Sequence, residues 1–504
     1  MSVDAAPSGS NRWPVVPVAV VLALVTLISA VFVGVGFRPQ DGDHHAQLAH
    51  EVARWARGEP HGLMVREYAP WPNELGDLLL GLLAVPLGLE LADALMLALM
   101  PAALCAAIGA FWVRHGWSPV TAVALAAPFS IGATYGLGFY NYQVSIILAF
   151  GFGALLARGT DSQPLLGGRV YRFVLYGGLV LTWLAHILGF GVLLGYLFLN
   201  GGLGLAALRD RLRSLWPVFV PVGWWVVAAP KGTVQAGEFD IVQRVVAIGS
   251  WDAFITIYNN TERLFTVVLA AVVYLIAADR AWVTPRLRAR LRRPASVGLA
   301  TLTLGIGLAG ILAPPSLLNG AYLWHRAGMA AVIFGVAWVG ETLEPLGPRA
   351  ARLVAGIGVV VFLGLSAARF GTVLTIADQR DEIRSLEAFL EPDDIVAAVS
   401  GPDGSTYTRA YPLGHVAGRM AAATDTEFLS NIFPASGESP MAYPDGTEFV
   451  WGRVPSTAFD AEPVVPTVFI AIGELDVVTA RRLHEEGFHV VETSPSGLAA
   501  LWRR

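Results

Sequence analysis

The densest gathering of groups able to do chemistry is Asp41-Gly42-Asp43-His44-His45. Carboxylates one residue apart, followed by two imidazoles, can take a proton from a hydroxyl, donate hydrogen bonds to an anion, or ligate a divalent ion. Acidic residues before a helix also cap its free N–H groups. Capping accounts for one aspartate well, and for an Asp-x-Asp pair followed by two histidines less well.

Other polar residues interrupt apolar sequence in the same way. Tyr140-Asn141-Tyr142-Gln143 opens one apolar run, His186 sits between two runs, and Trp324-His325-Arg326 opens another. Each has an ordinary role as well. Tyr and Trp form interfacial belts, a lone histidine can be a satisfied packing residue, and an arginine can snorkel to headgroups.

The elements that must position these groups follow from composition and period. The chain has 504 residues, of which 55% are hydrophobic and 14% charged, with one cysteine. Soluble chains carry about 25% charged residues, so disorder, a disulfide scaffold and an ordinary cytosolic enzyme are excluded. All but one of the 34 basic residues are Arg, spread in short runs between apolar stretches and not gathered into a nucleic-acid footprint. Apolar runs suited to spanning fall at 13–37, 93–113, 119–135, 139–156, 170–185, 188–208, 215–229, 264–278, 297–313, 322–339 and 353–368. With these eleven spans, every Arg-rich connection (Arg114; Arg158, Arg169 and Arg172; Arg209 to Arg213; Arg280 to Arg293; Arg349 and Arg352) faces the cytoplasm, as short inside loops do. The N-terminus is then cytoplasmic and the C-terminus external. The acidic motif, residues 140–142, His186, His325 and Arg326 all fall on the external side at one depth, although only Arg326 entered the arginine count.

Between the first two spans lies an external loop, 38–91. Within it, Leu48, Val52 and Trp55 share one helical face and Gln47, Glu51 and Arg54 another, which predicts an amphipathic helix from His44 to Arg57 resting on the bilayer. The apolar stretch 74–89 reads as a second surface helix, with Asp77 suited to the interface. A further external loop, 230–263, is long enough to cover a site. Past Arg369 the composition turns polar. Strands at 394–400, 468–473, 488–492 and 498–502 and a helix at 476–486 predict a small α/β domain. The expected organisation is a polytopic, all-α membrane region, 1–370, and an external α/β domain, 371–504.

This layout resembles the C-type (GT-C) glycosyltransferase superfamily. The resemblance rests on an N-terminal span and a large first external loop holding Asp41-Gly42-Asp43. It continues in a juxtamembrane helix ending Arg57-Gly58, a Pro-led segment at Trp71-Pro72-Asn73-Glu74, the span entry Gly138-Phe139-Tyr140-Asn141-Tyr142, the late Arg326, and a C-terminal external domain. The chain departs from the best-known members in having Asp-x-Asp-His-His in place of an adjacent acidic pair. The resemblance implies an inverting enzyme of a bacterial inner or plasma membrane. Such an enzyme moves a sugar from a polyprenyl phosphate to a glycan, lipid or protein acceptor on the external face, without nucleic acid. Asp43 is then the expected general base and Asp41 the second choice. Arg326 would grip the departing phosphate, with His325, His186, His44 and His45 as hydrogen-bond donors and Tyr140, Asn141 and Tyr142 lining the site. No cofactor is required, or a divalent cation such as Mg or Mn is held by Asp41, Asp43 and His44.

Three other readings stand beside this one. A transporter or flippase would carry ionisable groups deep in its spans, where this chain has almost none. A metal site of Asp41, Asp43, His44, His45 and His50 suits Zn or Mn by ligand type, without a His-Glu-x-x-His motif. The last is a non-catalytic member that binds an envelope partner through its external domain.

Overall fold

The computed structural model describes residues 15–59, 65–66, 72–157, 168–200, 203–228, 240–285, 287–314, 316–317, 320–321, 323–400, 413–430, 441–442 and 465–504. Trp71 and the first part of the expected covering loop, 230–239, lie outside them.

Each apolar run gives helix. The observed segments are Val15–Gly34, Leu89–Arg114, Pro119–Ser130, Tyr140–Leu156, Gly168–Ala185, Ile187–Leu199, Phe219–Ala228, Asn260–Val283, Pro294–Leu312, Leu323–Thr342 and Pro348–Arg384. Six of these regions have both the length and the apolarity to cross a bilayer; Tyr140–Leu156 and Ile187–Leu199 are apolar but shorter. The protein is an integral membrane protein; among the described residues six helices are long and apolar enough to cross a bilayer, and the expected count of eleven spans is not confirmed.

The juxtamembrane helix, Gly42–Arg57, stops at Gly58, whose left-handed φ of 74° lets its amide reach the Arg54 and Trp55 carbonyls. It does not rest on the bilayer with its polar face in water. Gln47 and Glu51 on the polar face are as buried as Leu48 and Val52 on the apolar face. The surface helix Leu75–Leu87 covers one side, approaching so closely that a Cβ on Gly81 would lie 2.5 Å from Val52. The helix Val416–Thr424, from the C-terminal part of the chain, covers the other.

The last membrane helix is the longest, 37 residues from Pro348 to Arg384. At 1.5 Å per residue it is about 55 Å long, well beyond a hydrocarbon core of about 30 Å. Residue 370, where composition changes, lies inside this helix. The composition marks where the helix leaves lipid, and the backbone continues unbroken.

A five-stranded sheet follows, in the spatial order Glu427–Phe428, Ile395–Ser400, Val468–Ile472, Ala499–Arg503 and His489–Thr493. The first three strands run parallel and the last two pairings are antiparallel. The two-residue period of a strand splits the sheet into two faces. Ala397, Val399, Phe469 and Ala471 pack with Leu483 of the Val477–Glu485 helix, while Val396, Ala398, Val468 and Ile470 join the core that continues into the membrane helices. The sheet region is tied to the segment after the first helix by Val65 and Arg66, which pair antiparallel with Ala442 and Met441.

Candidate active site

Asp41 occupies the N-cap position of the juxtamembrane helix, yet its side chain makes no capping hydrogen bond. The backbone around it is held by the turn before the Tyr140–Leu156 helix. Gln40 N and Asp41 N donate to the Gly136 and Leu137 carbonyls, each at 3.1 Å. Gly138 makes this possible: its φ is +78°, and a Cβ there would lie 2.8 Å from the amides of Asp41 and Gly42. The carboxylate is pinned through one oxygen. Gln40 Nε2 donates to Oδ1 at 3.2 Å, and His415 Nε2 approaches the same oxygen at 3.3 Å. Among the described residues, Oδ2 accepts no hydrogen bond, and the side chain keeps 17% of its exposure.

The other carboxylates here are fully occupied. Asp43 is completely buried and takes both Nη atoms of Arg380, at 2.5 and 2.8 Å. Asp77, also buried, accepts from His45 Nδ1 at 2.6 Å and from Asn141 Nδ2 at 2.8 Å; Asn141 Oδ1 in turn accepts the Gly76 amide. Asp93 accepts from the Tyr140 hydroxyl at 2.9 Å, from Arg419 Nη1 at 2.7 Å and from Arg38 Nε at 3.1 Å. Arg419 also grips Glu90 through Nε and Nη2.

This accounting corrects several expectations. Asp43 is a structural anion held in a bidentate pair, not an open base. His45 is committed to Asp77 and lies parallel to Tyr140, with centroids 4.8 Å apart. Burial opposes its charge, but the Asp77 carboxylate and its hydrogen bond, with Asp41 and Asp93, together outweigh burial and raise its pKa. His44 is buried with its ring 3.8 Å from that of His415, and burial together with His415 and His45 holds its pKa well below the usual histidine value. Neither histidine is placed as a phosphate donor. Tyr140 and Asn141 support Asp93 and Asp77. Asp77, expected at an aqueous interface, is almost fully buried. His50 lies further along the helix, 3.0 Å from Asp425. Among the described residues no three His, Cys, Asp or Glu side chains are arranged to hold a metal, and Arg380 takes both oxygens that Asp43 would have offered. The set Asp41, Asp43, His44 is therefore not assembled as a cation site.

Arg326 and His186 come together as expected, with Nη1 3.0 Å from Nε2. The arginine lies over Phe139, 4.0 Å from its centroid, and 5.5 Å from that of Tyr142, whose hydroxyl donates to the Arg326 carbonyl. The Leu188 amide donates to His186 Nδ1 at 3.1 Å. A neutral ring with an accepting Nδ1 carries its proton on Nε2. Two donors thus converge, an arrangement that an anion placed between them satisfies. His325 packs its ring on Trp324, centroids 3.7 Å apart. Gly138 supports Asp41 and the next residue, Phe139, supports Arg326, so the carboxylate and the guanidinium border one turn. A separate cavity of about 200 Å³, lined by Trp117, Thr121, Arg280 and Glu344 among others, includes none of these residues.

Sequence reasoning missed Arg380, His415 and Arg419 as members of the site, along with Asp93. Asp93 carried a signal, a carboxylate inside an apolar run. The other three carried none, since their partners lie more than 300 residues away.

No protein-family model matches the chain, and no curated protein matches it in sequence. Solved structures do match its fold. ArnT from Cupriavidus metallidurans in the apo state aligns with a TM-score of 0.58 at 14% identity, covering 97% of each chain. The same protein bound to undecaprenyl phosphate aligns with a TM-score of 0.53 at 13% identity, covering 98% of each. ArnT is a C-type glycosyltransferase. The fold is therefore the one that the sequence resemblance implied, over nearly the whole length of both proteins.

Proposed function

We propose that the protein is a membrane glycosyltransferase that moves a sugar from a polyprenyl phosphate to a hydroxyl of an envelope acceptor, with Asp41 as general base and Arg326 with His186 as the phosphate clamp. One observation carries this reading. Among the described residues, Asp41 is the one of Asp41, Asp43, Asp77 and Asp93 that keeps an oxygen without a partner, and it borders the turn over which the two convergent donors sit. The order of the two motif aspartates is thus the reverse of the sequence expectation.

In the reaction, Asp41 Oδ2 takes the acceptor hydroxyl proton as that oxygen bonds to the anomeric carbon. The bond from that carbon to the phosphate oxygen breaks, and the electron pair leaves with the phosphate. Arg326 and the Nε2–H of His186 are placed to stabilise the charge that builds there. A base and a phosphate clamp on separate groups suit attack opposite the leaving group, which inverts the sugar. The undecaprenyl phosphate bound to the ArnT neighbour supports a lipid phosphate as donor. In this scheme Asp41 supplies the base, and Arg326 with His186 supplies the groups that meet the developing charge.

The test incubates membranes bearing the protein with radiolabelled undecaprenyl-phosphate mannose, glucose and arabinose and follows which label moves. Asp41→Asn should lower transfer by roughly 100-fold or more, the usual scale for a removed general base, while the purified variant melts like the wild type. Full transfer by Asp41→Asn would remove the assignment.

A further inference from the structure

We infer that His415, carried by the C-terminal domain, is a positioning residue for Asp41, so that the reacting carboxylate is completed by a part of the chain remote from the membrane core. This deepens the reading above and rests on Asp41 being the base.

His415 stands at the N-terminal end of the Val416–Thr424 helix and makes no capping bond to it. Its imidazole is turned to Asp41 Oδ1 and packs on the His44 ring. The helix that delivers it is fixed at two further points. Arg419, 1% exposed, is bound to Asp93 and Glu90. Asp425, just past the helix end, meets His50 at 3.0 Å and Arg54 at 3.5 Å. At Gly418 a Cβ would lie 3.1 Å from the Phe428 ring and in ordinary contact, at 3.5 Å, with the Asp43 carbonyl and the His44 ring, so the two helices lie close here. A helix anchored this way holds an imidazole to within tenths of an ångström, the tolerance a base requires.

Gln40 and His415 both engage Oδ1, which leaves Oδ2 as the oxygen that faces an incoming hydroxyl. Without His415 the carboxylate is free to turn about its terminal torsion, and Oδ2 is no longer held toward the acceptor. The other titratable and charged groups that face this pair are Asp43, His44 and His45 on the juxtamembrane helix, Arg380 on the long helix and Arg419 on the docking helix. Asp43 and His45 are paired to Arg380 and Asp77, and His44 is neutral by burial.

The experiment uses full-length protein in proteoliposomes, with whichever of the three undecaprenyl-phosphate sugars the wild type consumes. His415→Ala should lower kcat by about 10- to 100-fold, the range for partners that orient a catalytic group. The donor KM should stay within about twofold, since His415 does not meet the phosphate clamp. His415→Gln, which restores an N–H donor, should recover much of kcat. Unchanged kcat in His415→Ala would overturn the inference. Should His415→Ala fail to fold, His415→Gln decides, because a folded Gln variant without activity also overturns it. Asp41→Asn is run alongside. Loss of transfer there with wild-type behaviour in His415→Ala sinks only the positioning role, whereas full activity in Asp41→Asn, or no sugar consumed by the wild type, sinks the parent reading.

Discussion

Asp41 and Asp43 are the same residue type two positions apart, and their fates differ because of what each one meets. Asp43 lies inside a bidentate pair with Arg380, and both groups are nearly or fully buried. Deleting one charge of such a pair leaves the other stranded, which costs about 3–5 kcal/mol. Asp43→Asn should therefore lower the melting temperature of the detergent-solubilised protein sharply, whereas Asp41→Asn should leave it near the wild-type value. Equal melting of the two variants would refute the division of labour. Arg326 offers a second contrast. Its planar fork and its position over Phe139 suit it to phosphate oxygens. Arg326→Lys keeps the charge but loses the fork, and should raise the donor KM by about tenfold in transfer assays. The motif was legible as a site in the sequence because it is local and dense. The roles inside it were not, since they depend on Arg380 and His415, which no short-range pattern links to position 43 or 41.

At the scale of elements, the juxtamembrane helix was legible from its period, and its end at Arg57-Gly58 from the family resemblance. The error was about what covers its polar face. An amphipathic pattern says that one face is apolar, and is silent on whether water or another polar surface meets the opposite face. Here the docking helix meets it, and Glu51 shows the consequence. Its carboxyl is 1% exposed, and Oε2 has no hydrogen-bond partner among the described residues. Burial raises its pKa from the usual 4.5 to about 7; Arg54 opposes this, and Glu427 and Asp425 add to it. A carboxyl whose folded pKa is raised binds its proton more tightly in the native state. Its contribution is fully present below the unfolded value of 4.5 and is lost as pH rises through about 7. The wild-type melting temperature should therefore fall across that window, and Glu51→Gln should flatten the fall. A slope unchanged by the substitution would show that Glu51 is not the group responsible.

Over the whole molecule, the long helix Pro348–Arg384 joins the two regions, with buried Arg369 and Arg380 along it. Arg369 is bound to Glu262 and to the carbonyls of Ile131 and Ile255, so the helix is fastened where three other segments meet it. Membrane helices were legible because apolar runs are local. Docking of the sheet domain was not, because it is made by ion pairs between distant segments. Sidedness links the two regions and can be tested directly. The single cysteine, Cys105, is fully buried and its thiol faces the Val123 carbonyl, so it adds no labelling background. Two exposed alanines report on opposite ends: Ala289, in the basic helix Leu287–Leu291, and Ala423, in the docking helix. The arginine distribution puts the first inside and the second outside. A membrane-impermeant maleimide should label Ala423→Cys in intact cells, and Ala289→Cys only after permeabilisation. Labelling of both in intact cells would break the arginine-based topology. The reverse pattern would move Asp41 and Arg326 to the cytoplasmic face, where an envelope acceptor has no access to them.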